Sequence, residues 1–223
     1  MTNFIQPQLL IFDLDGLIID SLDQLSISLV SVVEKILGDD NKIAKFKSYD
    51  EVNPGLSRFE KLDYALDLSE VNQKDRQEMR SAYLDEFDKL ATLARSEAEL
   101  DRSIFDFLKL VPLGFQLALL TNCDNKQLDH VLGVHGLESV FVNSAFGTPP
   151  SKSSLFPTIV EKLNSNHLPV SSISDSESDK SIAQKNAATF VWIKKFAREF
   201  EFDLSSEGLV FETLGDYIQY LTK

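Results

Sequence analysis

Residues 9–21 read LLIFDLDGLIIDS, and this stretch decides the fold. Its first four residues, Leu9–Phe12, form an apolar run that ends abruptly at Asp13. Such a run is typical of a fully buried strand whose carboxyl end emerges at a site. Gly16 then allows a turn, and the apolar residues after it recur at helical spacing up to Gly38, which is placed to end a helix. The stretch therefore predicts a buried strand, a turn and a helix.

The rest of the chain divides into a helical block and a block in which strands and helices alternate. Residues 39–95 contain no convincing strand, and Asn53-Pro54-Gly55 is predicted to form a turn between charged helical segments at Leu56–Leu68 and Val71–Leu93. The later predicted helices are Ala98–Leu110, Asn125–Leu132, Ser153–Leu163, Ser178–Ala188 and Leu214–Leu221. The later predicted strands are Gln116–Leu120, Ser139–Val142, Val170–Ser174, Phe190–Ile193 and Leu209–Phe211. Alternation of this kind predicts an α/β fold, in which helices cover both faces of a parallel sheet.

Composition and charge exclude several classes of function. The chain of 223 residues carries a formal net charge of -13 and has no cluster of Lys and Arg, so we expect no nucleic acid partner. No apolar run is long enough to span a membrane, and Met1–Gln8 does not resemble a signal peptide. Cys123 is the only cysteine, which rules out an internal disulfide. We expect a soluble cytoplasmic protein that is a monomer or a homodimer.

Acidic side chains end two of the predicted strands. Asp13 and Asp15 follow the first strand and alternate around Leu14, so both carboxylates are predicted to point to the same side. Asp175 ends the strand Val170–Ser174. Because the carboxyl ends of parallel strands lie at one edge of the sheet, we expect the three acids to meet there. Carboxylates so close repel each other unless a hard divalent cation lies between them, and Mg²⁺ is the natural candidate.

Hydrogen-bond donors are predicted at the same edge. Thr121 and Asn122 follow the strand Gln116–Leu120, and Lys152 precedes a predicted helix. Donors that converge on a site of metal and carboxylates suit an oxyanion, and the oxyanion we predict is a phosphoryl group in transfer. The sequence therefore predicts a phosphate-binding site beside the metal.

Taken together, these residues resemble the motifs of the haloacid dehalogenase superfamily, in its phosphatase branch with a helical cap inserted after the first strand. IFDLDGLIIDS at 11–21 looks like the first motif, LLTN at 119–122 like the second, Lys152 in TPPSKSS at 148–154 like the third, and ISDSESD at 173–179 like the fourth. The resemblance implies a Rossmann-like catalytic core of residues 1–17 and 96–223 and an all-helical cap of residues 18–95. It covers essentially the whole chain.

The resemblance also implies a role for each acid. Asp13 attacks phosphorus to form an aspartyl-phosphate, and Asp15 protonates the leaving alcohol and then activates water. Asp175 binds Mg²⁺ together with Asp13 and the main-chain carbonyl of Asp15. Asp179 orients Lys152 or holds a water on the metal. The implied substrate is a small phosphorylated metabolite, such as a sugar phosphate or a nucleotide.

The resemblance likewise implies a role for each hydrogen-bond donor. Thr121 holds the phosphoryl oxygens, Asn122 supports that loop, and Lys152 offsets the charge of the nucleophile and the phosphate. Pro54–Arg58 is similar to cap segments of related phosphatases, so Arg58 is predicted to bind the remote polar end of the substrate, with Lys61 beside it. The alternative is that both cations simply pair with acids of the cap.

Gly16, which follows the acids of the first motif, completes the predicted substrate-binding set.

Two positions depart from the family pattern. Ser174 stands where glycine usually precedes the aspartate of the fourth motif, and we expect it to crowd the backbone near the metal. Ser153 stands where proline usually follows the lysine of the third motif.

Three other functions stay open on the sequence. A phosphoryl-transfer mutase similar to β-phosphoglucomutase would use the same first steps and pass the group to a sugar instead of water. Hydrolysis of a carbon–halogen bond needs the aspartate nucleophile but no metal, and Asp15 argues against it because that chemistry has no leaving alcohol to protonate. A degenerate member would bind phosphorylated ligands without turnover, an idea motivated by Ser174.

Overall fold

The computed structural model describes residues 6, 8–53, 56–164, 166–198 and 208–223. Pro54 and Gly55 of the predicted turn lie outside them. The chain divides into two compact units. Met1–Asp20 and Ala98–Lys223 form the first unit, and Ser21–Glu97 form the second.

The second unit is built from four helices. They are α1 (Leu22–Leu37), α2 (Asp40–Val52), α3 (Arg58–Ser69) and α4 (Gln73–Glu97). Helix α1 ends as predicted at Gly38, which has a left-handed φ of 58°. The helices enclose their own apolar core, which includes Leu29, Val33, Phe46, Leu62 and Phe87. Across the described part of the chain, no helix is long and apolar enough to cross a membrane.

The first unit contains a six-stranded sheet. In chain order the strands of this unit are β1 (Leu9–Phe12), β2 (Ile19–Asp20), β3 (Glu99–Leu100), β4 (Gln116–Asp124), β5 (Ala145–Thr148), β6 (Val170–Ser174), β7 (Thr189–Ile193) and β8 (Leu209–Phe211). The large sheet has the order β5-β4-β1-β6-β7-β8, and every pair in it is parallel. The short strands β2 and β3 pair with each other antiparallel. Since β1 lies between β4 and β6, Asp13 emerges near the middle of the sheet.

Helices cover both faces of this sheet. The unit contains the helices α5 (Asn125–His135), α6 (Lys152–Leu163), α7 (Glu177–Lys185) and α8 (Leu214–Leu221), and a long 3₁₀ helix at Arg102–Leu113. Successive residues of β1 alternate between the faces: Leu10 and Phe12 belong to a core with residues of the 3₁₀ helix, α5 and α8, whereas Leu9 and Ile11 belong to a core with residues of α6. The predicted α/β fold with a covered parallel sheet is confirmed.

Two predicted elements are wrong. Ser139–Val142 is not a strand: a 3₁₀ turn at Leu137–Ser139 leads into it, and the edge strand of the sheet is β5, a few residues later. Ala98–Leu110 is not one helix, because Glu99–Leu100 pairs with Ile19–Asp20 and the helix that follows is 3₁₀. Val140 and Phe141 are buried in the core without belonging to a strand, whereas Glu99–Leu100 is extended because its pairing partner lies far away in the sequence.

Candidate active site

The end of β1 places the first two acids. The main-chain amide of Asp13 donates to the carbonyl of Ile173 at 2.9 Å, so the ladder between β1 and β6 continues through the first acid. The amide of Leu14 donates to Asp13 Oδ1 at 2.7 Å and fixes the orientation of this carboxylate. Asp13 and Asp15 are each 8% exposed. Both acids are therefore almost completely buried, and only a small part of each is accessible to solvent.

Gly16 makes the turn after these acids. Its φ is 76°, a left-handed value that suits glycine, and its amide donates to the carbonyl of Ile19 at 2.9 Å. The predicted contact of Gly16 with substrate stays a prediction.

Lys152 brings a distant part of the chain to Asp13. It is the first residue of α6, whose N-cap Ser151 accepts from the amide of Ser154. Its Nζ lies 2.7 Å from Asp13 Oδ2 and 2.9 Å from Asp179 Oδ2. Lys152 is 7% exposed, so this double ion pair is largely screened from water. The ammonium thus joins the nucleophile predicted from the first motif to the last acid of the fourth.

Asp175 and Asp179 follow β6. Ser176 caps α7 by accepting from the amide of Asp179 at 3.3 Å, so the cap positions that acid in the first turn of the helix. Asp175 and Asp179 are both buried, and Asp175 interacts electrostatically with Asp179, Lys152 and Asp15. The structure therefore brings together four of the predicted site residues at one edge of the sheet: Asp13, Lys152, Asp175 and Asp179. The charge of Asp15 is close enough to raise the pKa of Asp175.

Burial and mutual repulsion make two of the acids hard to ionise. Burial raises the pKa of Asp13 well above its ordinary value, and Asp179 and Asp175 raise it further against the opposing effect of Lys152. Burial likewise raises the pKa of Asp175 to about 7, and the charges of Asp179 and Asp15 contribute to the increase. Negative charge at these two residues lacks sufficient compensation from the protein alone.

Asp179 and Lys152 show the opposite behaviour. Burial alone would raise the pKa of Asp179, but the charge of Lys152 and a hydrogen bond from Ser174 outweigh it and lower the pKa. Burial alone would lower the pKa of Lys152, but Asp13 and Asp179 raise it above its usual range. Asp179 and Lys152 therefore form a charged pair, and the uncompensated acids are Asp13 and Asp175.

The donor chemistry of this edge fits a hard cation. Two buried carboxylates with raised pKa values, Asp13 and Asp175, gain most from a divalent ion that prefers oxygen ligands. Among the described residues, no three side chains of the His, Cys, Asp or Glu type form a group that could hold a metal. The ligand set implied by the resemblance contains only two such side chains bound directly, because its third ligand is the main-chain carbonyl of Asp15.

Thr121 and Asn122 lie in β4, the strand next to β1. Register pairs Phe12 with Leu119, so Thr121 is two residues beyond the last pairing with β1 and lies at the same edge as Asp13. The hydroxyl of Thr121 accepts from the amide of Cys123 at 3.0 Å, which leaves its hydrogen available to another acceptor. The carbonyl of Asn122 accepts from the hydroxyl of Thr148 at 3.1 Å and so ties β4 to β5.

Gly147 packs so closely against the main chain of β4 that we expect its replacement to lower stability. A Cβ on Gly147 would lie 2.6 Å from the carbonyl oxygen of Cys123, a main-chain atom that cannot move aside alone. We expect Gly147→Ala to lower the free energy of unfolding by about 1 to 3 kcal/mol, measured by urea denaturation. The control is Gly208→Ala, whose Cβ meets nothing closer than 3.5 Å. Equal stability of the two variants would contradict the expectation.

Arg58 and Lys61 both lie on α3 and pair with acids of the second unit. Arg58 Nε lies 2.9 Å from Asp88 Oδ1, and Lys61 Nζ lies 2.6 Å from Asp50 Oδ1. Both cations are largely buried. These pairs correspond to the alternative interpretation of the two residues, and their predicted contact with substrate stays a prediction.

Ser174 has contacts that the sequence did not indicate. In the place of a glycine, Ser174 was expected to crowd the backbone near the metal, and it also motivated the hypothesis of a degenerate member. The structure turns its hydroxyl toward Asp179 Oδ2, at 2.6 Å. Ser153, the other departure from the family pattern, contacts the hydroxyl of Ser151 at 2.9 Å on the exposed side of α6.

The fold and this edge of the sheet define a class: α/β proteins that gather acids and a lysine at the carboxyl ends of parallel strands. Residues 10–193 match the family model for haloacid dehalogenase-like hydrolases. Since the match covers most of the chain, the protein belongs to this family. The resemblance of the sequence to the haloacid dehalogenase superfamily is thereby confirmed.

Solved structures with the same fold have differently named activities. A predicted phosphoglycolate phosphatase from Haemophilus somnus is 18% identical, with a TM-score of 0.67, and the match covers 98% of this chain and 99% of that one. An inferred β-phosphoglucomutase from Thermotoga maritima is 16% identical, with a TM-score of 0.65 and coverage of 97% and 99%. A 2-haloacid dehalogenase from Pseudomonas syringae is 14% identical, with a TM-score of 0.60 and coverage of 97% and 99%. A search of curated protein sequences found no match. At such identities the likeness establishes the fold alone.

Proposed function

We propose that this protein is a Mg²⁺-dependent phosphomonoester hydrolase of a small phosphorylated metabolite. The observation that carries the proposal is the position of Lys152, whose ammonium lies between Asp13 and Asp179 at an edge that also holds Asp175 and Thr121. A buried nucleophile candidate, a fixed cation and a free hydroxyl hydrogen are the groups that a phosphoryl group in transfer requires.

Asp13 is the nucleophile in this proposal. Its Oδ1 accepts from the amide of Leu14 and its Oδ2 contacts Lys152, so the carboxylate has a fixed plane toward the substrate. Attack on phosphorus forms the bond from an oxygen of Asp13 and releases the alcohol, and water then cleaves the aspartyl-phosphate. Lys152 balances charge that builds on the nucleophile and the phosphoryl oxygens.

Asp13, Asp175 and the main-chain carbonyl of Asp15 would hold Mg²⁺. When bound, the ion would supply positive charge that neutralises the phosphoryl oxygens and the two acids. Thr121 donates its hydroxyl hydrogen to a phosphoryl oxygen, and Asn122 supports the loop through its contact with Thr148.

Asp15 transfers the proton in both halves of the reaction. Its carboxyl group gives a proton to the leaving oxygen, and the resulting carboxylate takes one from the attacking water.

Gly16, Arg58 and Lys61 remain the proposed substrate contacts, and Arg58 is the candidate that binds the remote polar end of the substrate. The solubility, cytoplasmic location and monomeric or dimeric state expected from the sequence belong to the same proposal.

A substrate panel tests the proposed reaction. The purified protein is incubated with sugar phosphates and nucleotides in the presence of Mg²⁺, and inorganic phosphate is measured. We expect release that depends on Mg²⁺ and is lost on chelation and in Asp13→Asn. If no substrate on the panel gives more phosphate than Asp13→Asn gives, the proposal is rejected.

Asp15→Asn should separate the two halves of the reaction. With p-nitrophenyl phosphate the leaving group needs little help from an acid, so we expect one burst of p-nitrophenol per active site followed by slow turnover, because water is no longer activated. With an alkyl phosphate no burst is expected. Stopped-flow absorbance measures the burst. Equal loss of both phases with both substrates would remove the acid–base role.

A mutase is the second candidate function. The fold shared with the inferred β-phosphoglucomutase and the common first half of the reaction favour it. Formation of an isomerised sugar phosphate without free phosphate would select the mutase over the hydrolase.

A further inference from the structure

Ser174 contacts the same two carboxylate oxygens as Lys152. It is the last residue of β6 and is 1% exposed. Its hydroxyl donates to Asp179 Oδ2 at 2.6 Å and lies 3.4 Å from Asp13 Oδ2. The corresponding distances from Lys152 Nζ are 2.9 Å and 2.7 Å. The two donors and the two acceptors form a closed ring of polar contacts.

The number of hydrogens on each donor limits the hydrogen bonds that it can make in this ring. The hydroxyl of Ser174 has one hydrogen, and the shorter distance assigns it to Asp179. The same oxygen accepts from the amide of Ser176 at 3.3 Å, which restricts its rotation. Lys152 has three hydrogens and reaches both acids. Asp179 Oδ2 is therefore held by two donors, while Asp13 Oδ2 keeps Lys152 as its close partner.

We infer that Ser174 is a positioning residue that fixes the carboxylate of Asp179 and, through it, holds the ammonium of Lys152 against Asp13. Glycine at this position would have no side-chain donor, so this contact distinguishes the chain from the family pattern. The hydroxyl of Ser174 donates its hydrogen to Asp179, which holds Lys152, and not to Asp13, the proposed nucleophile. The inference rests on the proposed function only for its kinetic consequence.

Kinetics of Ser174→Ala test that consequence. A hydrogen bond to a charged group is lost, so we expect kcat to fall about tenfold, with KM changed by less than about twofold, because the effect reaches the substrate only through Lys152. Ser174→Gly, which restores the usual family residue, should give the same loss. Ser172→Ala is the matched control: it removes a buried hydroxyl from the same face of β6. An effect of equal size in Ser172→Ala would overturn the inference.

Two further measurements separate positioning from a general structural role. In an Asp179→Asn background, Ser174→Ala should cause little additional loss of kcat, because the route to Lys152 is already broken. Independent additive losses would contradict the inference. The second measurement needs no turnover: nitrogen-15 NMR of the ammonium of Lys152, assigned with Lys152→Arg, should show faster proton exchange in Ser174→Ala and Ser174→Gly but not in Ser172→Ala.

The NMR result also distinguishes this inference from the proposed function. If no phosphate ester is hydrolysed but the exchange of the lysine protons increases in both Ser174 variants, the proposed function fails and the positioning role stands. If hydrolysis occurs and the ammonium signal is unchanged in both variants, the hydrolase stands and the positioning role is overturned.

Discussion

Asp13→Asn is expected to lower kcat for phosphomonoester hydrolysis by at least about a thousandfold, because the amide cannot form the covalent bond to phosphorus. The change preserves the shape of the side chain in the buried position after β1. It also removes one negative charge beside Asp175 and Asp179, which offsets the loss of one partner of Lys152. We therefore expect far-UV circular dichroism to show an intact fold. Phosphate release under single-turnover conditions measures the loss.

The control for Asp13→Asn is Asp129→Asn, which removes the same charge from an exposed position on α5. Its turnover should equal that of the wild type. A folded Asp13→Asn variant with turnover close to the wild type would show that phosphoryl transfer does not pass through Asp13.

Lys152→Met is expected to be the most destabilising change in the first unit among those considered. Methionine fills similar space but leaves the buried oxygens of Asp13 and Asp179 without their shared cation. Breaking a buried ion pair by removing one partner costs about 3 to 5 kcal/mol, because the remaining charges are not compensated. Urea denaturation followed by fluorescence measures the loss. Activity should fall with it, since the proposed nucleophile loses its counter-charge.

Lys162→Met provides the comparison on the same helix. Lys162 is exposed near the end of α6 and its ammonium lies 5.2 Å from the ring centre of Phe146, so its replacement should change the free energy of unfolding by less than about 1 kcal/mol. If both lysine variants were equally stable, the contacts of Lys152 with the two acids would not exist in solution.

Local pattern was sufficient for much of the fold. The strands Leu9–Phe12, Val170–Ser174 and Leu209–Phe211 and the helix Leu214–Leu221 have the predicted bounds. The last helix begins at Leu214, directly after its N-cap Thr213, and the capping box between Thr213 and Asp216 is a signal within four residues. Such elements are predictable because the interactions that define their ends are local.

Elements whose definition depends on distant partners were not predictable. Glu99–Leu100 is extended because it pairs with Ile19–Asp20, about eighty residues earlier. The 3₁₀ helix that follows buries Ile104, Phe107 and Leu110, and over so few residues this spacing of three is also compatible with one face of an α-helix. Helix α2 lies in the block that was predicted to be all-helical, but its bounds were not predicted because it buries only Phe46 and Asp50, which leaves too little apolar periodicity.

The sequence by itself determined the family, the α/β class and the residues that end the strands, since apolar strands followed by acids are a property of consecutive residues. Only the tertiary structure decided how those residues meet. It placed Lys152 between Asp13 and Asp179, paired Arg58 and Lys61 with acids of their own unit, and turned Ser174 toward Asp179. Parallel strands with crossover helices bring together residues remote along the chain, and the distances between side chains follow from that packing.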